Sequence, residues 1–309
     1  MQKILIIKPS SFGDIVHGLQ VVQSIKAQNP QVHVTWVVRD IFAPLVAQAN
    51  CVDSVIIFYR DKGITGFLAL LSQIRRETYD YVIDMQGLAR SGLMTFLSKS
   101  KNKLGRSDAR EGAGFAYNGR APLPGQGRQS HALEILMEFL PVIGLDRELR
   151  TYLSFKEVNT HLDIYKNSII LFPDSRRTEK NWGGFKQLTA KLLDMFPDKP
   201  VLWMGQTPEF AKQSFPHANY QNLVKRTRIE ELVPFIENSD LVISNDSGAM
   251  HLTAALGKKV LALFGPTDPK LFGPFPLADP LHMVLRPKSG DLKDLGVEEV
   301  WDQINYFLS

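Results

Sequence analysis

The sequence predicts an α/β protein of two domains, each a parallel sheet wrapped by helices. Three observations lead there. Short apolar runs alternate with helix-period segments, the alternation restarts after a polar bridge near residues 146–166, and 309 residues is two domains' worth at about 150 each.

In the first half, Lys3–Ile7, His33–Val38, Ser54–Phe58 and Tyr81–Asp84 read as strands. Ile15–Gln28, Phe42–Ala49, Ile64–Glu77 and Arg90–Lys99 read as the helices between them. Residues 101–130, rich in Gly, Pro and Arg, break the rhythm and are expected to form a long functional loop, with His131–Ile143 as a closing helix. In the second half, strands are expected at Ser168–Phe172, Pro200–Trp203, Asp240–Ile243 and Lys259–Leu263. Helices are expected at Gly184–Met195, Pro208–Phe215, Ile229–Asn238, Ser247–Leu256 and Val297–Leu308. The boundary falls at 155/156, and the halves share a rhythm but no sequence repeat.

Composition narrows the function classes. Hydrophobic and charged contents of 44% and 22% are those of an ordinary globular protein. No apolar run reaches the roughly 18 residues of a membrane span, and the opening apolar stretch is too short for a secretory signal. A lone Cys51 fits a reducing cytoplasm and reads as a small core residue rather than a nucleophile. Residues 1–150 carry 18 Lys/Arg against 13 Asp/Glu, whereas residues 151–309 carry 18 against 19. Basic side chains crowd residues 86–130, where an anionic partner or a merely solvated face are the two readings. Nucleic acid is disfavoured, since no binding module is recognisable.

Ligands of open α/β sheets sit beyond the carboxyl ends of the strands, so the loops that follow strands matter most. The first is Lys8-Pro-Ser-Ser-Phe-Gly-Asp14. Ser10 and Ser11 offer hydroxyls and caps, and Gly13 permits close approach. Asp14 either complements the helix dipole or accepts a proton from a bound hydroxyl. His17, one turn on, orients that base or packs. The second loop, Pro173 to Gly184, mixes Ser175 and Thr178 with Arg176, Arg177 and Lys180, a mixture suited to a diphosphate. The third, Ser244-Asn-Asp-Ser-Gly-Ala-Met-His251, is a strand, a polar turn and a helix start, a ready anion site near Ser247 and Gly248 with His251 on the same helical face. No Asp-x-Asp pair, zinc-ligand cluster, Walker loop, Gly-x-Gly-x-x-Gly after a strand or Gly-x-Ser-x-Gly occurs.

With these loops in view, the chain resembles the bacterial ADP-heptose:lipopolysaccharide heptosyltransferases of glycosyltransferase family 9, from Met1 to about Phe275. Five motifs carry the resemblance in order: Lys8 to His17, Asp84-Met-Gln-Gly-Leu-Ala-Arg-Ser91, Arg177-Thr-Glu-Lys-Asn-Trp182, Asn245-Asp-Ser-Gly-Ala-Met-His251 and Phe264-Gly-Pro-Thr-Asp-Pro269. The first is closer to the type I enzymes, which add heptose to Kdo.

The resemblance implies a GT-B architecture, two Rossmann-like domains facing each other across a cleft, with the final helix often crossing back to the first domain. It implies inverting transfer from ADP-heptose with no metal or other cofactor. Asp14 matches the general base and Lys180 the lysine that stabilises the leaving diphosphate. Asp246, Ser247, Gly248 and His251 match the donor-binding turn. Ser175 and Arg176 stand where the type I enzymes have two phosphate-contacting threonines, and Glu209 is the candidate for the family's ribose-contacting glutamate. Arg60 and Arg120 are candidates for an anionic acceptor of the Kdo-lipid A type, with Ser10, Ser11 and Gly13 beside it. The expected place is the cytoplasmic face of the inner membrane, held there by a peripheral, salt-sensitive contact. Three rivals are a family 9 transferase with another sugar or acceptor, a catalytically silent sugar-nucleotide-binding protein, and a dehydrogenase, which the missing glycine fingerprint disfavours.

Overall fold

The computed structural model describes residues 1–149, 151–157 and 163–308; of the polar bridge, residues 150 and 158–162 lie outside this set. The chain divides into two compact units, Met1–Lys156 and Glu157–Ser309, one residue beyond the expected boundary.

The first unit contains strands β1 (Lys3–Ile7), β2 (His33–Arg39), β3 (Ser54–Phe58), β4 (Thr78–Asp84), β5 (Lys99–Arg106) and β6 (Gly119–Ala121). Its helices are α1 (Phe12–Gln28), α2 (Ala43–Gln48), α3 (Gly63–Ile74), α4 (Ala89–Leu97), α5 (Ala132–Met137) and α6 (Phe139–Val142). The second unit contains β7 (Ser168–Phe172), β8 (Val201–Trp203), β9 (Tyr220–Asn222), β10 (Ser239–Asn245), β11 (Val260–Leu263) and β12 (His282–Leu285). Around them lie α7 (Phe185–Met195), α8 (Leu232–Glu237), α9 (Gly248–Ala255), α10 (Pro269–Phe272) and α11 (Val297–Leu308).

The sheets run β3-β2-β1-β4-β5-β6 and β12-β11-β10-β7-β8-β9, with every strand pair parallel. Numbered from its own first strand, each sheet has the order 3-2-1-4-5-6, the doubly wound arrangement. The order reverses between β1 and β4 in one unit and between β7 and β10 in the other, and these are the places where such sheets hold ligands. Both central strands are buried on both faces, which is why they read as unbroken apolar runs.

Residues 101–130 differ from expectation. They hold most of β5, all of β6 and a short 3₁₀ turn, Ala113–Ala116, rather than one long loop. Lys99-Ser-Lys-Asn-Lys lacks an apolar pattern because only Leu104 and Gly105 of β5 are buried; the backbone ladder to β4 holds the rest. Pro208–Phe215 is likewise no helix, and only Phe210–Lys212 forms a 3₁₀ turn. Its aromatic spacing serves packing instead: Phe210 and Phe215 both lie about the Trp203 ring, with centroids at 6.1 Å. Val300, Trp301, Ile304 and Phe307 of α11 belong to the second unit's own core, beside Leu192 of α7 and Ile243 of β10.

Candidate active site

In the first unit, the switch point holds an ion pair. Lys8 follows β1 and is buried; its Nζ lies 3.3 Å from Asp14 Oδ1 and donates to the Met85 carbonyl oxygen at 3.3 Å, tying β1 to the end of β4. The Trp36 indole N–H holds the Lys8 carbonyl at 3.1 Å. Ser11 caps α1, and Asp14, in the first turn, accepts from the Ser11 amide at 3.0 Å and hydroxyl at 2.6 Å. Asp14 keeps 42% of its side chain exposed, against 2% for Lys8, so the carboxylate faces outward from a buried cation. Burial raises the Asp14 carboxyl, but the Lys8 charge and the two Ser11 hydrogen bonds outweigh it and hold the group well below the usual carboxylate range. Burial also pulls the Lys8 ammonium below its ordinary value, opposed by Asp14. His17 is buried on α1 with its ring edge-on to His131, centroids 5.5 Å apart, and it adds to the forces that lower the Asp14 carboxyl.

The motif after β4 turns out to be architectural. Asp84 is fully buried; its Oδ1 accepts from the Gln86 and Gly87 amides at 2.9 Å, and its Oδ2 from the Tyr117 hydroxyl at 2.7 Å. Burial raises its carboxyl despite these bonds. The Tyr117 ring lies where a Cβ on Gly105 would come within 2.1 Å, so only glycine fits there. Ser10, Ser11 and Gly13 surround Asp14 in sequence and are part-exposed. Arg60 stands exposed on a 3₁₀ turn after β3. Arg120 is exposed on β6, donating to the Gly114 carbonyl oxygen at 3.1 Å. No described contact joins Arg60 or Arg120 to Asp14. Cys51 is buried and its thiol is pushed up to about 12 by desolvation, which removes it as a nucleophile at neutral pH.

In the second unit, the switch point also holds an ion pair. Lys180, at the end of a 3₁₀ turn after β7, meets Asp246, just beyond β10, with Nζ to Oδ2 at 2.5 Å. Thr267 donates its hydroxyl to the same Oδ2 at 2.5 Å. Asn245 fixes the two loops together: its amide nitrogen donates to the Pro173 carbonyl oxygen at 2.9 Å and its amide oxygen accepts from the Trp182 N–H at 3.1 Å. Ser247 begins α9 in extended conformation but turns its hydroxyl to Ser244 Oγ, 3.0 Å away, rather than onto the helix's first amides. Those amides, from Gly248 onward, remain for an anion. His251 lies buried one turn into α9.

The donor candidates therefore separate. Lys180, Asp246, Ser247, Gly248 and His251 gather about the start of α9. Ser175 takes part in the loop itself, its amide donating to Asn181 at 2.7 Å and its hydroxyl to the Arg177 carbonyl oxygen at 2.7 Å. Arg176 is exposed on that loop, and Glu209 is exposed in the turn after β8. Asp174 shapes that turn by accepting from the Gln206 and Thr207 amides at 2.8 Å, and Gly205 has the φ of +152° and the absent Cβ that let Asp174 approach. Lys8, Asp174, Asn245 and Thr267 have roles that sequence reading did not assign, although three of the four lie inside the motifs it singled out.

The chain is 27% identical over 322 residues to lipopolysaccharide heptosyltransferase 1 of Escherichia coli K12, covering 98% of this chain and 99% of that protein. It is 25% identical over 289 residues to the lipopolysaccharide core heptosyltransferase OpsX of Haemophilus influenzae, covering 89% and 82%. Among solved structures, E. coli heptosyltransferase WaaC with ADP superimposes with a TM-score of 0.86 at 24% identity, covering 99% of this chain and all of that one, and shows the GT-B fold. The description "Glycosyltransferase family 9 (heptosyltransferase)" matches residues 67–302, and the chain belongs to that family.

Proposed function

We propose that the protein transfers heptose from ADP-heptose to the Kdo-bearing inner core of lipopolysaccharide, with inversion and without a metal. The observation that carries this reading is the Lys180–Asp246–Thr267 cluster beside the uncapped start of α9. A fixed cation next to free helix amides suits a diphosphate, and the charge that grows on a departing ADP is the charge such a site stabilises.

On this reading the second unit holds the donor and the first supplies the base. The acceptor hydroxyl oxygen forms its bond to the anomeric carbon on the face opposite ADP. The bond to the ADP oxygen breaks and its electron pair leaves with the diphosphate, where Lys180 meets it. Asp14 takes the hydroxyl proton. A carboxylate held below its usual range is a weak base, so the proton moves late, once bond formation has made the hydroxyl acidic. Lys180 takes over the charge neutralisation that a divalent cation gives in other transferases. Arg60 and Arg120 supply positive charge toward an anionic acceptor, and the named relatives, which act on lipopolysaccharide, support that choice. Work at the cytoplasmic face of the inner membrane follows from the acceptor's chemistry. Incubation with ADP-heptose and Kdo-lipid A, followed by mass spectrometry, is expected to show the acceptor gaining one heptose; turnover of a different nucleotide sugar alone would sink the heptose assignment.

A further inference from the structure

We propose that the face of the first unit formed by α3, α4 and the turn Ala113–Ala116 is the surface with which the protein lies on an anionic lipid bilayer. This rests on the reading that its acceptor is a membrane glycolipid, and it names the residues that make the contact.

The three elements are neighbours. Arg75, just past α3, donates to the Leu97 carbonyl oxygen of α4 at 3.0 Å, and Phe67 and Leu97 cover the same core beneath. Phe96 of α4 and Phe115 of the turn bring their rings to 5.5 Å. Large apolar side chains then point outward across all three: Ile64 is 79% exposed, Leu68 59%, Leu93 37%, Phe96 51% and Phe115 61%. Ile64 and Leu68 lie four apart on α3, and Leu93 and Phe96 three apart on α4, so each helix presents a short apolar row outward. Inward rows serve the core; outward rows in such number mark a surface that meets something apolar.

Charge says which surface that is. Arg75, Arg76, Arg90 and Lys101 are exposed around the rows, and the Lys103 ammonium lies 5.7 Å over the Phe96 ring. The acids of the same stretch are largely engaged elsewhere. Glu77 and Asp80 hold Lys3, Asp108 holds Arg106, and Glu111 accepts from the Ala89 amide, while Asp61 stands exposed near Arg60 and Lys62. Aromatic and aliphatic tips among basic side chains match a bilayer interface, where the tips enter the headgroup boundary and the cations meet anionic lipid.

The test is co-sedimentation of the full chain with vesicles of phosphatidylethanolamine and phosphatidylglycerol, and with pure phosphatidylcholine. The wild type is expected to bind the anionic vesicles, to bind phosphatidylcholine far more weakly, and to lose affinity severalfold as salt rises from about 0.1 M to about 1 M. The double variant Leu68→Asp, Phe115→Asp should lose roughly tenfold or more of that affinity with an unchanged melting temperature, since both side chains are exposed. Equal sedimentation of variant and wild type, no binding by the wild type, or a wild-type dimer that the variant breaks would each overturn the proposal. Both proteins are also assayed with a deacylated, water-soluble Kdo acceptor. Transfer without vesicle binding defeats the surface and leaves the function standing; vesicle binding without transfer does the reverse.

Discussion

Asp14 shows 42% of its side chain to solvent while its partner Lys8, 3.3 Å away, shows 2%. The cation is structural in placement and the anion is available, which is the arrangement needed to keep a carboxylate ionised and aimed. Asp14→Asn is expected to reduce transfer by about 10²–10⁴-fold while leaving the affinity for ADP-heptose unchanged, measured by steady-state kinetics and calorimetry. A parallel collapse of donor binding would make Asp14 a structural residue.

Removal of the buried cation makes a different prediction. In Lys8→Met, burial is opposed only by the Ser11 hydrogen bonds and His17, so the Asp14 carboxyl rises from its depressed value. The acid limb of the kcat/KM profile should therefore move to higher pH. The sign for stability follows from the same shift. A carboxyl depressed in the folded chain contributes stability that is present above its unfolded pKa and lost as pH falls through the folded one. The wild type should thus lose more stability on acidification than Lys8→Met, as read by melting temperature across the acid range. An unmoved acid limb would separate Lys8 from the base.

At the second site, Lys180→Ala should lower kcat by about 10²–10³-fold, the scale for losing one stabilising group at a developing negative charge. Thr267→Val removes the hydroxyl from Asp246 without removing the ion pair, and is expected to give a smaller loss, mostly in the KM for the donor. A larger effect from Thr267 than from Lys180 would contradict the assignment.

The Asp84–Tyr117 contact predicts stability rather than activity. Tyr117→Phe leaves a buried carboxylate oxygen short of its donor and should cost about 1–3 kcal/mol. Gly105→Ala drives a methyl group against the Tyr117 ring and should cost about 1–3 kcal/mol through overpacking. Thermal melts with the unchanged ADP-heptose affinity as control distinguish both from site residues.

Metal independence has its own measurement. Dialysis against chelator should leave the transfer rate with ADP-heptose and Kdo-lipid A unchanged, and added magnesium should not raise it. A rate that falls with chelation and returns with a divalent cation would reassign the leaving-group charge from Lys180 to a metal.

Much of this was legible in the sequence wherever one run of residues carried its own signal. β1, β3, β7 and α11 stand within the expected bounds because each is apolar throughout or amphipathic with the right period. Asp14, Lys180 and Asp246 were legible because they sit in loops directly after strands. What sequence reading missed depends on partners far along the chain. β5 is polar and is a strand only because β4 lies beside it, and β6, β9 and β12 are short strands with one buried residue each, so they lack the apolar run that marks β8 and β11. Lys8 gave no sign of its burial, since its partners are Met85, 77 residues away, and a carboxylate six residues on in the first turn of α1. Thr267 reaches Asp246 across 21 residues, and the Phe210–Phe215 spacing imitated a helix while serving Trp203.

The two sheets share one strand order, and each reversal point is occupied by a lysine and an aspartate. Their burial is inverted. In the first unit the lysine is the hidden partner; in the second it is the aspartate, at 7% against 15% for Lys180. On the proposed function, one scaffold used twice presents a proton acceptor from one copy and an electrostatic clamp from the other, with the same two residue types. The exchange of which charge is hidden turns a duplicated fold into two complementary tools.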